Sequence, residues 1–434
     1  MEWYVFLSGA FFLLLALFAV GLPVFIAFLA LNLAGLFLIS GNFNGVTLII
    51  NSMFSTSTSL SLAAIPLFVL LGELLFRSGS VRILFDAVDG LVGNIRARLY
   101  VVSILLSTLF GALSGSAMAV AAMMGSSLWP EMKARNYDLK LSMGTMLAGS
   151  SLAPIIPPSV MAIVLGMLAN VSISALLIAG IVPGLILSSM FLGYVVIRTR
   201  INPSLAPISD DTSLPLKQRI MLVVKALPFL LIIGVILGFI LAGIATPTES
   251  AAMGCVAAVV VCAMFGNLNW PTIRNSLRST ASISGMIMII MACSVSFSQV
   301  LNMSGATSQL VQTVTELALP LVLMFILLQF VPFVLCMFID QVALMIMLVP
   351  LYTPIISAIG FDPLWFWMIF LINMSIGGIT PPFGYTLFAL KGVIPEASIQ
   401  SVYRAALPFI GICMLAIALF ATFPDVILAV PALL

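Results

Sequence analysis

The prolines of this chain recur at a fixed interval. Pro157-Pro158 is repeated as Pro381-Pro382, 224 positions later. The same separation joins two further pairs of prolines, Pro23 with Pro247 and Pro130 with Pro354. Random overlap of the 24 prolines would give roughly one coincidence, so the matches indicate an internal duplication. Proline-interrupted apolar segments at corresponding positions of two halves are typical of secondary transporters, whose binding sites lie where the interruptions meet.

The composition places these segments in a membrane. The chain is 62% hydrophobic and 7% charged, with a mean hydropathy of +1.28, and many of its segments reach the ~20 apolar residues that span hydrocarbon. We therefore expect an all-α polytopic membrane protein. The net charge of +2 argues against nucleic-acid binding. Histidine is absent and the five cysteines lie in apolar stretches without metal-ligand spacing, so we expect no enzymatic role and no cofactor.

The apolar segments divide the chain into two repeats. Repeat 1 covers 1–200, a charged linker covers 201–225, and repeat 2 covers 226–434. The segments of the first repeat lie near 4–20, 24–39, 60–76, 99–130, 141–169 and 173–197. Those of the second lie near 226–245, 250–266, 281–300, 319–356, 364–390 and 405–423.

Lysine and arginine positions predict a re-entrant hairpin in each repeat. Segment 99–130 lies between basic loops at 77–98 and 133–140, so both of its ends should be cytoplasmic. It is interrupted at Ser114-Gly115-Ser116, which predicts hairpin 1. Segment 319–356 lies between cation-free loops and is interrupted at Ile339-Asp340-Gln341, which predicts hairpin 2, entering from the periplasm.

This topology inverts the second repeat. Five crossings and one hairpin per half place all 16 Lys and Arg on the cytoplasmic side, with the amino terminus outside. The arrangement depends on a break in 4–39 at Gly21-Leu22-Pro23. A single kinked helix over 4–39 would instead put the amino terminus inside.

Two further segments are predicted to be broken helices. The break in 141–169 falls at Pro157-Pro158 and the break in 364–390 at Pro381-Pro382. Irregular backbone at membrane depth is tolerated only against protein or a cavity, and proline is favoured in the first turn of a helix. Each break should therefore start a new helix. The N–H groups of its first turn would bind an anionic substrate, because no Lys or Arg is predicted at this depth to do so.

Oxygen-bearing residues at the breaks and hairpin tips predict two sodium sites. One site lies between hairpin 1 and the first break, and the other between hairpin 2 and the second break. The sodium candidates are Ser114, Ser116, Ser150, Ser151, Asp340, Ser375, Gly377 and Thr380. The substrate-binding candidates are Gly115, Pro157, Ser159, Asn373 and Pro381.

Asp340 is the most informative of these residues. An ionised carboxylate in an apolar hairpin is costly, and Ser116 occupies the corresponding position of the first repeat. The alternative is a protonated or helix-capping aspartate. For the serines, the alternative is a hydroxyl bonded back to its own helix.

Motifs around these positions resemble those of one family, the large membrane subunit of tripartite ATP-independent periplasmic (TRAP) transporters. The similarity runs from about 20 to 430. Its motifs are Ala64-Ile65-Pro66-Leu67-Phe68, Gly72-Glu73-Leu74, Phe110-Gly111-Ala112-Leu113-Ser114-Gly115-Ser116, Ile155-Ile156-Pro157-Pro158-Ser159, Ala179-Gly180-Ile181-Val182-Pro183-Gly184, Thr246-Pro247-Thr248-Glu249-Ser250-Ala251-Ala252, Ile379-Thr380-Pro381-Pro382-Phe383-Gly384 and Arg404-Ala405-Ala406-Leu407-Pro408-Phe409. In this chain 149–154 has fewer glycines than in many members of the family.

The resemblance implies an elevator-type transporter in the bacterial inner membrane. It implies sodium-driven uptake of a carboxylate, such as a sialic acid or a C4-dicarboxylate, with Na+ as the coupling ion. It also implies two partners, a small four-helix membrane subunit and a periplasmic substrate-binding protein. ATP is not expected to drive transport, and the chain has no Gly-x4-Gly-Lys-Ser/Thr loop.

The repeats suggest which parts move. We expect the two hairpins, 141–169 and 364–390 to form the mobile domain, and 4–39, 60–76, 173–197 and their repeats to form the scaffold. The leading alternative is a stand-alone sodium- or proton-coupled dicarboxylate carrier that needs no binding protein. A channel or a structural subunit is a weaker alternative, and an intramembrane enzyme is the weakest because no nucleophile–base pair is visible.

Overall fold

The protein is built from helices. A computed structural model describes residues 2–40, 46–77, 79–93, 95–207, 215–266 and 268–433. The structure is 82% helical, and the residues it describes contain no β-strand. Among those residues, seven helices are long and apolar enough to cross a membrane. The predicted all-α multi-pass class is therefore confirmed.

Eleven helices are described before the linker. They are α1 (Trp3–Ala19), α2 (Val24–Ser40), α3 (Val46–Ser57), α4 (Ala64–Arg77), α5 (Ser80–Val92), α6 (Arg98–Ser114), α7 (Ala117–Ala134), α8 (Leu139–Ser151), α9 (Val160–Leu168), α10 (Ile173–Ala179) and α11 (Ile181–Ile201). Short 3-10 turns cover Leu60–Ala63 and Pro203–Leu205.

Ten more helices are described from Leu216 onward. They are α12 (Leu216–Leu241), α13 (Pro247–Met264), α14 (Trp270–Met303), α15 (Ala306–Glu316), α16 (Leu321–Cys336), α17 (Gln341–Ile359), α18 (Pro363–Gly377), α19 (Tyr385–Val393), α20 (Ile399–Thr422) and α21 (Asp425–Leu428). A last 3-10 turn covers Pro431–Leu433.

The break predicted within 4–39 is present. α1 ends at Ala19 and α2 begins at Val24. Between them, Gly21 has a φ of +85°, a left-handed conformation that glycine adopts without a steric penalty. Each helix has 17 residues and is about 25 Å long. The two helices pack against each other, so 4–39 is a helical pair and not one long kinked helix.

Both interruptions predicted within the hairpins also occur. Gly115, with a φ of +61°, and Ser116 separate α6 from α7, while residues 337–340 separate α16 from α17. In each pair the two helices pack against each other. The chain therefore folds back on itself at both predicted positions.

Contacts gather the cation-rich segments on one side of the molecule. They join residues near both ends of the α6–α7 hairpin to each other, to the linker and to the loop before α20. The Tyr137 hydroxyl donates to the Arg96 carbonyl (3.5 Å), the Asp138 N–H donates to the Leu205 carbonyl (3.1 Å), and the Lys133 ammonium pairs with Glu396 (2.7 Å). This shared side agrees with a cytoplasmic location for the basic loops.

Three stretches that the low hydropathy or the charge pattern predicts as loops, near 40–59, 77–98 and 301–309, contain helices among their described residues. These helices are α3, α5 and the start of α15. α5 shows why they were missed, since it is amphipathic and buries Leu84, Ala87 and Val88 while carrying charged residues on its other face. A stripe with a 3.6-residue period forms a helix without reaching the hydropathy of a membrane span. α12 likewise begins at Leu216, inside the predicted linker.

The helices can be described as two groups, which also contact each other through α5 with α6, α14 with α17 and α15 with α17. In the first group, α14 contacts α2, α3 and α4, and α12 contacts α5 and α13. In the second group, α6 contacts α8, α7 contacts α19, and α9 contacts α17. The sequence-based grouping placed 173–197 and its repeat with the scaffold. In the structure, α11 packs on α6, and α20 packs on α8 and α18, so both belong with the hairpins.

Candidate cation and substrate sites at the two broken helices

The first broken helix has an irregular stretch between α8 and α9. The helix stops at Ser151 and restarts at Val160, and the Pro157-Pro158 peptide bond between them is cis. Ser159 caps α9 by accepting a hydrogen bond from the Ala162 N–H (3.2 Å) and donates its own hydroxyl proton to the Pro154 carbonyl (2.6 Å). This predicted substrate-binding residue therefore holds the break in shape.

Hairpin 1 lies directly on this break. Small residues of α6 and α8 allow the two backbones to approach closely. A Cβ atom on Gly111 would lie 2.8 Å from the Cα of Ala153, and one on Gly115 would lie 3.2 Å from the backbone nitrogen of Val160. The tip of hairpin 1 thus meets the first turn of α9. The sodium site between hairpin 1 and the first break stays a prediction.

The first-half serines are bonded within their own segments. Ser150 and Ser151 are buried, and each donates its hydroxyl proton to a carbonyl three residues earlier (2.8 Å in both cases). Ser116 is the N-cap of α7, and its N–H donates to the Ser114 hydroxyl oxygen (3.4 Å). A hydroxyl that donates its proton keeps oxygen lone pairs, so this bonding is compatible with cation coordination.

The second broken helix has the same form. α18 ends at Gly377 and α19 begins at Tyr385, with a cis Pro381-Pro382 bond between them. A Cβ atom on Gly377 would lie 2.5 Å from the Cβ of Cys336, the last residue of α16. The rings of Phe338 and Phe383 also meet, with centroids 5.6 Å apart. The end of hairpin 2 therefore lies on the second break.

The second-half candidates are buried and hydrogen-bonded. Ser375 donates to the Leu371 carbonyl (2.9 Å) and Thr380 donates to the carbonyl of Ile376 (2.7 Å). The Asn373 amide donates to the backbone and side-chain oxygens of Gln329 (2.6 and 3.1 Å). Asn373, predicted to bind substrate, therefore links α18 to hairpin 2.

Asp340 is the N-cap of α17. Its carboxylate accepts a hydrogen bond from the Val342 N–H (2.9 Å), and its side chain is exposed. Ser116, 224 positions earlier, caps α7 by accepting from the Ala119 N–H (3.3 Å). The helix-capping role considered from the sequence is therefore present. The two corresponding tip residues share it.

The two breaks belong to one packed unit. The second arm of hairpin 1, α7, packs on α19, which follows the second break. The second arm of hairpin 2, α17, packs on α9, which follows the first break. At the α7–α19 contact, a Cβ atom on Gly125 would lie 2.5 Å from a methyl group of Val393. Each hairpin thus supports the restarted helix of the other half.

Two polar residues of this region were missed from the sequence. Ser107 is buried, its hydroxyl has no hydrogen-bond partner, and it lies against Gly149. Gln329 is buried in α16 and partners Asn373. Both residues could have been found in the sequence, because each is a polar side chain within an apolar hairpin arm. No group of three His, Cys, Asp or Glu residues that could hold a metal occurs in the described part of the chain.

A separate cavity of about 530 Å³ lies away from both breaks. It is lined by residues of α3, α9, α14 and α17, together with Thr307 at the start of α15. None of the predicted sodium or substrate residues lines it.

The sequence as a whole matches one family model. Residues 11–426 match the model described as "Tripartite ATP-independent periplasmic transporter, DctM component". The chain belongs to this family. As a member of the DctM family, it is a component of a tripartite transporter, and the resemblance inferred from its motifs is confirmed.

Several DctM relatives align along most of their length. The ectoine TRAP transporter large permease protein TeaC of Halomonas elongata is 31% identical, covering 96% of each chain. The C4-dicarboxylate TRAP transporter large permease protein DctM of Pseudomonas aeruginosa is 32% identical over 87% of this chain and 88% of that one. The sialic acid TRAP transporter large permease protein SiaM of Vibrio cholerae is 30% identical over 98% of each chain.

The fold also resembles solved transporters of low sequence identity. The YdaH transporter of Alcanivorax borkumensis superposes with a TM-score of 0.70 at 13% identity, covering 93% of this chain and 99% of that one. MtrF of Neisseria gonorrhoeae gives 0.61 at 16% identity, covering 89% and 85%. These similarities show the fold of this chain and nothing about its function.

Proposed function

We propose that this protein is a sodium-coupled permease subunit that imports a carboxylate by an elevator mechanism. The observation that carries the proposal is the paired contact of a hairpin tip with a broken helix. Gly115 meets the start of α9, and Cys336 meets the end of α18. Two such contacts, joined into one packed unit by α7–α19 and α9–α17, form a compact carrier for ions and substrate.

The sodium sites are proposed at these two contacts. Hydroxyl, carbonyl and carboxylate oxygens are suitable ligands for an alkali cation. The first contact supplies Ser114, Ser116, Ser150 and Ser151, and the second supplies Asp340, Ser375, Gly377 and Thr380. Each ion entering at −100 mV would contribute ~2.3 kcal/mol, before its concentration gradient is counted.

The substrate is proposed to be an anion held without a fixed cationic side chain. No Lys or Arg occurs between 99 and 132 or between 321 and 390. The starts of α9 and α19 are proposed to supply backbone N–H groups instead, at Val160, Met161 and Tyr385, because the Ala162 and Thr386 N–H groups are bonded to Ser159 and to the Gly378 carbonyl. The proposed substrate-binding residues are Gly115, Pro157, Ser159, Asn373 and Pro381. Ectoine, C4-dicarboxylates and sialic acid, named for relatives, each carry a carboxylate.

The proposed moving domain is the second packing group, α6–α11 with α16–α21. The first group, α1–α5 with α12–α15, is proposed as the scaffold. The two repeats have opposite orientation in this proposal, which puts the basic loops in the cytoplasm and the protein in a bacterial inner membrane. A small four-helix membrane subunit and a periplasmic substrate-binding protein complete the transporter.

Ion-gradient-driven uptake tests this function. The complete transporter would be reconstituted in vesicles with and without its binding protein, and uptake of succinate, N-acetylneuraminate and ectoine would be measured under sodium or proton gradients. We expect uptake that needs both sodium and the binding protein. Uptake driven by a proton gradient without the binding protein would instead identify a stand-alone carrier.

A further inference from the structure

The side of the molecule on which the 530 Å³ cavity lies can be read from α14 and the segments beside it. Asn170, Asn302 and Thr307 line it and belong to the cation-free segments 170–172 and 301–309. Near the other end of α14, Ser279 accepts a hydrogen bond from Arg77 (3.4 Å) in the basic region. Ser279 and Asn302 are about 35 Å apart along the helix. The cavity therefore lies on the side opposite the basic loops.

Among the residues that the structure describes, the cavity is lined by apolar side chains and neutral hydrogen-bonding groups, with no charged side chain. Gln299 lines it, and the hydroxyl of Ser52 donates to Oε1 of Gln299 (2.5 Å). The Ser52 hydroxyl is also placed to donate to the Leu48 carbonyl (2.8 Å), so its one proton is shared between the two oxygens. Gln299, held through its oxygen, keeps its NH2 group as a donor. Thr307 is 7% exposed, and its hydroxyl has no partner. A buried hydroxyl without a partner carries a desolvation cost that a polar ligand would remove.

The cavity also lies between the two packing groups. α3, α14 and α15 of the first group form one wall, and α9 and α17 of the second form the other. Any relative movement of the two groups changes its shape. Movement of one group past the other would therefore change how the cavity holds a ligand.

We infer that this cavity is an entry subsite, distinct from the broken helices, where neutral donors hold a carboxylate-bearing substrate arriving from the periplasm. The inference rests on the proposed function, since it takes the carboxylate class and the periplasmic side from it. Neutral donors bind an anion more weakly than a fixed cation would. Weak binding suits a position that passes its ligand inward.

The experiment measures cysteine labelling at the cavity. The five native cysteines are buried. Ser298→Cys would introduce a thiol in the cavity lining. Ile289→Cys lies on the same helix, is 44% exposed and is outside the cavity. The complete transporter would be treated from the outside with a charged, membrane-impermeant maleimide, in the presence of succinate, N-acetylneuraminate or ectoine.

We expect Ser298→Cys to react from the outside and Ile289→Cys to stay unlabelled. At ten times its dissociation constant, a probe that occupies the subsite should slow labelling about tenfold. Equal rates with and without all three probes would overturn the inference. So would the absence of labelling at Ser298→Cys from the outside.

A second substitution tests the neutral donors. Gln299→Glu keeps an oxygen for the Ser52 hydroxyl and replaces the NH2 donor with a negative charge. In the Ser298→Cys background it should weaken protection by a carboxylate about 10- to 150-fold. Protection is measured against each variant's own labelling rate in the absence of a probe, because a negative charge beside the introduced thiol changes that rate by itself. Gln309→Glu is the matched control, because Gln309 is exposed and does not line the cavity. Unchanged protection in Gln299→Glu would contradict the inference.

Sodium dependence separates this inference from the proposed function. Protection that persists when choline replaces sodium supports a subsite distinct from the breaks. Protection seen only with sodium would place the ligand at the sodium-linked breaks, overturning the subsite and supporting the proposed function. Protection in choline together with sodium-independent uptake would refute sodium coupling and leave the subsite in place.

Discussion

Gly111→Ala tests whether the fit of hairpin 1 against the first break sets cation binding. The added Cβ would lie 2.8 Å from the Cα of Ala153 and 3.2 Å from its backbone nitrogen. Ordinary contacts between carbon atoms begin near ~3.5 Å, so the hairpin must move by about 0.7 Å or more. Backbone atoms cannot rotate away as a flexible side chain can. The hairpin tip must therefore shift relative to the break.

The expected stability change is modest, whereas the expected loss of sodium binding is large. Overpacking costs about 1–3 kcal/mol, and replacing a helical glycine by alanine recovers about 1 kcal/mol. A tenfold rise in the sodium dissociation constant would reduce stabilisation from ~2.7 kcal/mol at 100-fold excess to ~1.4 kcal/mol. The assay compares thermal unfolding midpoints of the purified protein with and without sodium.

Gly193→Ala is the matched control. Gly193 lies in α11, and a Cβ atom there would meet nothing within 4 Å. This variant should keep the full sodium-induced rise in the midpoint. An undiminished rise in Gly111→Ala would refute the reasoning, because the site would then not depend on how hairpin 1 fits the break.

Three further predictions concern hairpin 2, the second broken helix and the Lys133–Glu396 ion pair. Asp340→Asn should keep the α17 cap, since asparagine is an equally good N-cap, but it should abolish or sharply weaken uptake. Uptake at the wild-type rate in this variant, at low and at high sodium, would remove Asp340 from the proposed sodium site. Asn373→Ala should lower the free energy of unfolding by about 0.6–3 kcal/mol, because it leaves the side-chain oxygen of Gln329 unpaired. An unchanged thermal midpoint would contradict this. The Lys133 hydrogen bond lowers the pKa of Glu396 from its ordinary 4.5, so the ion pair stabilises the folded protein above pH 4.5 and this stabilisation is lost as pH falls through the depressed pKa. The difference in unfolding midpoint between wild type and Glu396→Gln should therefore disappear as pH falls through that pKa. A difference that does not change with pH would contradict this prediction.

Much of the fold could be predicted because prolines, glycines and charges mark the ends of apolar segments. The Pro-Pro pairs located both breaks, and Gly115 located the tip of hairpin 1. Gly21 and Pro23 located the split between α1 and α2. In each case one local backbone preference decides the outcome. The distribution of Lys and Arg then predicted which loops lie together, in agreement with the Lys133–Glu396 pair.

The missed features depend on packing between distant segments. α5 and α15 are too polar for a hydropathy scan, although their apolar stripes fit neighbouring helices. The position of α11 beside the hairpins depends on close approach between distant backbone segments. Gly180, just before α11, allows this segment to lie close to the first break, because a Cβ atom there would collide with the Ile155 carbonyl oxygen. Nothing local in the sequence shows that the two segments meet.

The candidate site was predictable by region but not by atom. Polarity at the breaks pointed to the serines and to Asp340. The sequence could not show that Asn373 is held by Gln329, 44 positions earlier. It also could not show that Ser52 and Gln299 meet across 247 positions beside a cavity between the two packing groups. Such contacts arise only when the helices assemble.

The most direct test of the central claim is the thermal unfolding midpoint of the purified protein in sodium, potassium and choline chloride at equal ionic strength. A ligand that binds only the folded state raises stability by ~2.7 kcal/mol at 100 times its dissociation constant. The proposal predicts a sodium-specific rise that is lost in Asp340→Ala and in Ser116→Ala. Equal midpoints in the three salts would contradict sodium binding at the hairpin tips and favour proton coupling, with Asp340 as the first carrier to test.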